Sequence, residues 1–181
     1  MDEPTRGRRP GGLSYTCRDI EQRATQTLHW AVQNKMSLLT LALDHLTIGR
    51  SRFYRTILER LHASGVLAKS AVEDSKPEIV EAVEGLRRAG DVTRLPRGLL
   101  TRAWLRFLTG DAVGARADLD EVWEIAERGP MPLFQADVQL YRARLFKDKE
   151  ALVEARRLIE KYRYGRRLEE LADAEEASAG W

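Results

Sequence analysis

Apolar side chains recur along most of this chain at intervals of three and four residues, the period that gathers them on one face of an α-helix. From Cys17 to about Gln33, the residues Ile20, Ala24, Leu28, Ala31 and Val32 share a face, and Asn34-Lys35 reads as a short turn. A second, strongly apolar run holds Leu38, Leu39, Leu41, Ala42, Leu46, Ile48 and Gly49 and continues through Phe53, Ile57 and Leu61 to His62. Gly65 breaks the pattern, and the less periodic stretch from Val66 to Pro77 contains a loop. The next helix spans about Pro77–Ala89, with proline in its first turn and Gly90 just past its end. Asp91–Arg97 reads as a connector closed by Pro96. Helices then cover about Gly98–Leu108 and Ala112–Arg128, joined by Thr109-Gly110-Asp111 and stopped by Gly129-Pro130-Met131-Pro132. A last pair, about Leu133–Phe146 and Glu150–Tyr162, meets at the tight junction Lys147-Asp148-Lys149, short enough that the two could straighten into one helix.

The predicted fold class is therefore all-α. Three parts follow: a flexible basic N-terminus over 1–13 with Arg6, Arg8 and Arg9, a helical domain over 14–167, and a polar C-terminal helix or tail over 168–181. Within the domain a triplet of small, large and small residues recurs at offsets of four and three. It appears as Ala24/Leu28/Ala31, Ser75/Ile79/Ala82 and Ala115/Leu119/Val122, with a damaged copy at Asp148/Leu152/Ala155. These offsets stack three side chains on one helical face, where the small ends admit a neighbouring helix and the large centre fills its groove.

Composition changes this picture little. Hydrophobic residues make up 43% and charged residues 32%, a globular balance. The 30 Lys and Arg nearly cancel the 28 Asp and Glu, and the signs are interleaved, which argues against a polyanion-binding field. Cys17 is the sole cysteine, so no internal disulfide can form. No run approaches the roughly 20 apolar residues of a membrane span, and no secretory signal follows Met1. A cytoplasmic protein without a membrane partner is the expectation.

In the clearest copy, a helix carrying Leu99, Leu100, Ala103 and Phe107 is followed by Gly110-Asp111, the triplet and then Pro130. That order resembles the tetratricopeptide repeat, whose period is about 34 residues. The copies here are spaced 51, 40 and 33 residues apart, Leu99 replaces the family's early aromatic residue, and the family's glycine is matched by Gly49 but then by Ala103. Three phrases, Leu41–Arg50, Leu95–Ala103 and Gly110–Gly129, look like the C-terminal repeats of large bacterial signalling proteins that carry a NACHT-type NTPase or a TIR domain. No Walker-type phosphate loop is present in this chain. The resemblance implies a short right-handed solenoid of about three stacked antiparallel hairpins, acting as a scaffold or sensor that binds a protein or an acidic peptide segment, with self-association left open. It places Arg50 and Phe53, then Arg97, Trp104 and Phe107, then Asp137, Leu140 and Arg144 along a partner-binding groove. Arginines beside aromatics suit a carboxylate-bearing extended segment.

Little points to catalysis. His29, His45 and His62 have no zinc-like spacing with Cys17. Asp44-His45 lacks a paired nucleophile and reads as a hydrogen-bonded structural pair. Asp19, Glu21, Asp118, Asp120, Glu121 and Glu124 read as solvated-face residues or partners of nearby arginines. A non-enzyme with no metal or cofactor is expected. Two alternatives compete with a binding module. One is a degenerate or truncated repeat fragment; the other is a DNA-binding helix-turn-helix over Ile57–Leu67, against which Glu73 and Asp74 argue.

Overall fold

A computed structural model describes residues 12–63 and 72–181 of the chain. The basic lead-in up to residue 11, the break at Gly65 and the end of the candidate helix-turn-helix lie outside the described residues. Those residues form eight α-helices and no strand: α1 Gly12–Gln33, α2 Leu38–Ala63, α3 Lys76–Arg88, α4 Leu95–Thr109, α5 Ala112–Arg128, α6 Pro132–Phe146, α7 Lys149–Lys161 and α8 Leu168–Ser178, with a 3₁₀ turn at Gly165–Arg167 before α8. None is long and apolar enough to cross a membrane. Ile57–Ala63 is the end of the 26-residue α2 rather than a separate short helix.

Three helix starts differ from expectation: α1 begins at Gly12, five residues before Cys17, and the other two lie at prolines. Pro96 and Arg97 lie inside α4, not in a connector: the helix starts at Leu95, and Pro96 occupies its first turn, where a missing N–H leaves no bond unmade. The connector ends earlier because the Asp91 carboxylate accepts from the Thr93 and Arg94 backbone N–H groups at 3.1 and 2.8 Å. Pro132 likewise opens α6.

Each helix packs on its neighbours in the chain, and α2, α4, α6 and α8 also touch one another in that order. The even-numbered helices thus form one layer, and α1, α3, α5 and α7 form the other. The triplets mark the second of these layers: all four lie on odd-numbered helices or their N-caps. Ala24, Ala31, Ile79, Ala82, Ala115, Leu119, Val122, Leu152 and Ala155 are all buried. A small residue also sets the α2–α3 approach. A Cβ on Gly49 would sit 2.7 Å from Ile79 Cγ1 and 3.1 Å from the Ile79 backbone nitrogen, so no larger residue fits without moving a helix.

The last hairpin does not straighten. Gly110 between α4 and α5 takes the left-handed conformation at φ 94°, and Asp111 then caps α5 by accepting from Gly114 N at 2.8 Å. Lys147 between α6 and α7 repeats this at φ 57°, and Asp148 caps α7 by accepting from Ala151 N at 2.9 Å. What is missing is one turn of α7, which has 13 residues against 17 in α5. A lysine in the left-handed region is strained by about 1–2 kcal/mol. Part of this is returned on exchange for glycine, whose unfolded chain is freer. Lys147→Gly is expected to raise stability by up to about 1 kcal/mol, read as a higher urea midpoint. A fall would show that the turn is held by the lysine side chain.

Segment 168–181 contributes to the core: Leu171 and Ala174 of α8 join Ala136, Leu140 and Ala143 of α6 and Leu152, Ala155, Leu158 and Ile159 of α7. Between α4 and α5 a charged group is buried as well. Arg102 donates from Nε and Nη2 to both oxygens of Asp118, at 3.0 and 2.7 Å, with only 7% and 2% of the two side chains exposed. Arg106 adds a contact to Asp118 at 2.8 Å. Asp118 is therefore a partner of arginines, one of the two roles expected of it, but as an interior clamp between helices and not on a solvated face.

Candidate functional site

The layer of even-numbered helices carries the residues expected in a groove, but it uses them differently. Phe53 is fully buried, edge-on to Trp104 at 5.0 Å between ring centroids, in a cluster with Val72, Ile79 and Leu105. Leu140 is buried in the α6–α7–α8 core. Neither presents a face to a partner. Trp104 is half-buried and also touches the Tyr54 ring at 6.0 Å. Phe107 is half-buried and packs edge-on against Phe146 at 5.3 Å, on the side of the hairpin turn.

Asp137 is buried and accepts from Arg167 Nε at 2.7 Å; Arg167 in turn donates to Glu170 at 2.5 Å. Burial pushes the Asp137 carboxyl above its ordinary range, although the Arg167 guanidinium pulls the other way. This pair fastens the 3₁₀ turn and α8 to α6, so Asp137 is occupied within the fold. Arg144 is exposed and 3.7 Å from Glu170. Arg97 is exposed and its side chain has no carboxylate partner among the described residues.

Arg50 stands apart. Its Nε donates to Thr101 Oγ1 at 2.8 Å and its Nη2 to the Arg97 carbonyl at 2.8 Å, bridging α2 to α4. Among the described residues Arg50, Arg52, Arg55, Arg102, Arg106, Arg142 and Arg167 are the buried or half-buried arginines. Each of the others pairs with a carboxylate: Arg52 and Arg55 with Glu21, Arg102 and Arg106 with Asp118, Arg142 with Asp120, Arg167 with Asp137. Arg50 pairs with none.

Four residues of this region were not anticipated: Tyr54, Thr101, Tyr141 and Arg167. Tyr141 was within reach. The turns Asp111 and Asp148 are 37 residues apart, as are the starts and ends of α4 and α6. That register sets Tyr141 opposite Trp104, whereas the 33-residue spacing of the triplets does not. Thr101 and Arg167 carry no pattern that marks them.

Elsewhere the candidate chemistry is structural. His45 and Asp44 do not pair: His45 Nδ1 lies 2.6 Å from Glu78, and Asp44 accepts from Thr27 at 3.1 Å. No cluster of His, Cys, Asp or Glu among the described residues could hold a metal ion. A groove of about 460 Å³ opens at α5, α6 and α7, lined by Arg116, Asp120, Gln139, Arg142, Asp148 and Glu154 among others. Its charges are of both signs, Arg142 is bonded to Asp120, and Arg116 lies flat over Phe146 at 3.8 Å. Comparison of the chain with protein-family models, with curated proteins and with solved structures returns no match.

Proposed function

We propose that the chain is a non-catalytic protein-interaction module, a short tetratricopeptide-like solenoid whose inner layer of helices holds an extended acidic segment of a partner, as a scaffold or regulatory region of a bacterial signalling system. The observation that carries this reading is the charge of that layer. Among the described residues, half-buried Arg50 of α2 and exposed Arg97 of α4 have no carboxylate partner, whereas every other buried or half-buried arginine has one. A half-buried, uncompensated guanidinium gains most from an incoming carboxylate, since both groups are then charge-assisted and partly shielded from water. Trp104 and Tyr54 add aromatic surface beside it, the residue types that anchor protein contacts. The recurrence of the triplet on every second helix fits the same repeat architecture.

Arg97→Glu combined with Arg144→Glu reverses two exposed charges and touches no core contact. The helical circular dichroism and melting temperature of this variant should match the parent, while its capture of acidic partners in a pull-down should fall at least tenfold. Undiminished capture would remove the inner layer as the binding face. Micromolar, salt-sensitive binding to random duplex DNA would favour the DNA-binding alternative instead.

A further inference from the structure

Resting on that reading of the inner layer, we infer that Arg50, Tyr54 and Tyr141 form an anchor for a single side-chain carboxylate of the bound acidic segment. The Arg50 fork is held in place before any ligand arrives. Its Nε and Nη2 are committed to Thr101 and to the Arg97 carbonyl, and Thr101 Oγ1 itself donates to that carbonyl at 2.9 Å. Nη1 has no partner among the described residues, so one face of the guanidinium remains open in a fixed direction. A pre-set donor loses little freedom when it binds.

Two hydroxyls complete the donor set. The phenols of Tyr54 and Tyr141 are half-buried, and neither makes a hydrogen bond within the described residues. Tyr54 lies one helical turn beyond Arg50 on α2 with its ring 6.0 Å from that of Trp104, and Tyr141 holds on α6 the position that Trp104 holds on α4. Burial raises the Tyr141 phenol above its ordinary value, so it stays protonated and able to donate at any physiological pH.

The charge count selects the ligand class. Arg167 is neutralised by Asp137 and Glu170, which leaves Arg50 as the one half-buried cation without a counter-charge among the described residues. One cation and two neutral donors match a carboxylate, a monoanion with two acceptor oxygens, better than a phosphate dianion. The exposed Arg97 then steers further acidic residues of the same segment.

The test uses the full chain and two peptides with blocked termini, a fluorescent tetraglutamate and its tetraglutamine counterpart, followed by anisotropy. The parent should bind tetraglutamate and ignore tetraglutamine. Tyr54→Phe and Tyr141→Phe should each weaken binding about threefold to tenfold, the effect of one hydrogen bond. Neither should lower the melting temperature, because the hydroxyls bond nothing in the fold. Arg50→Gln should abolish the binding. If both tyrosine variants bind as tightly as the parent while Trp104→Ala and Arg97→Glu do not, the anchor is wrong and the inner layer still stands as the peptide surface. If the parent does not bind tetraglutamate, both fall. Displacement by equimolar inorganic phosphate would assign the site to phosphate and overturn the carboxylate.

Discussion

Replacing Asp118 by alanine is expected to lower the stability of the protein by about 3–5 kcal/mol, the largest effect of any single charged residue here. The reason lies in what is left behind. Arg102 is 7% exposed and gives two hydrogen bonds to Asp118, so removal of the carboxylate strands a guanidinium between α4 and α5. Its remaining carboxylate, Glu84, is 3.5 Å away and half exposed, too weak a partner to replace the lost pair. Arg106 loses its contact as well but reaches solvent. Urea unfolding measures the loss directly. The double replacement Arg102→Met with Asp118→Leu should recover most of it, because the cost is that of an unpaired buried charge rather than of the absent bond. A loss below about 1 kcal/mol in the single variant would show that water reaches the pair, as at an ordinary surface ion pair.

Phe53→Ala carries the second large effect, also about 3–5 kcal/mol. The ring is fully buried and is the largest such side chain among the described residues, wedged between α2, α3 and α4 against Ile79, Leu105 and Trp104. Truncation removes that contact area and leaves a cavity that three helices must close upon. The same variant separates two roles for this residue. A partner-contacting phenylalanine would be lost with little change in stability and a large change in binding; a core phenylalanine does the reverse. A thermal melt that shifts by only a degree or two would return Phe53 to the surface.

Phe53 also shows why candidate sites are harder to read than folds. The helices follow from a period of 3.6 that needs no partner to be seen, and from punctuation by Gly90, Gly110-Asp111 and Gly129-Pro130. All of these mark real ends in the structure. The two starts shifted at prolines, Leu95 and Pro132, arise because proline suits a first turn as well as it ends a preceding segment. The burial of the triplets was equally readable, since small-large-small spacing has one common use. In contrast, Phe53, Trp104 and Phe107 carry the same residue type at helical spacing, yet one is core and two are half-buried. Which aromatic faces inward depends on how far the next helix is rotated, and no local pattern encodes that angle.

Register is the second limit. Triplets 33 residues apart and turns 37 residues apart differ by four residues, close to one helical turn. Either alignment therefore keeps the buried stripe on its face. The ambiguity is invisible to hydrophobic periodicity but moves the residue matched to Trp104 from Asp137 to Tyr141. The missing turn of α7 settles it, with Lys147 taking the left-handed conformation that Gly110 takes in the hairpin before.

By itself, then, the sequence determined an all-helical chain, the order and approximate ends of its helices, and the stripe of small and large residues along which alternate helices meet. Each of these is settled by neighbours within a turn or two along the chain. Only the tertiary structure decided that Asp118 and Asp137 are buried and paired, that Phe53 and Leu140 are core, and that Arg50 alone among the buried or half-buried arginines of the described residues has no counter-charge. Those outcomes join residues from 16 to more than 50 positions apart, such as Arg102 to Asp118 and Arg50 to Thr101. A charge is neutralised by what lies across the helix interface, and that neighbour is chosen by packing, not by spacing along the chain.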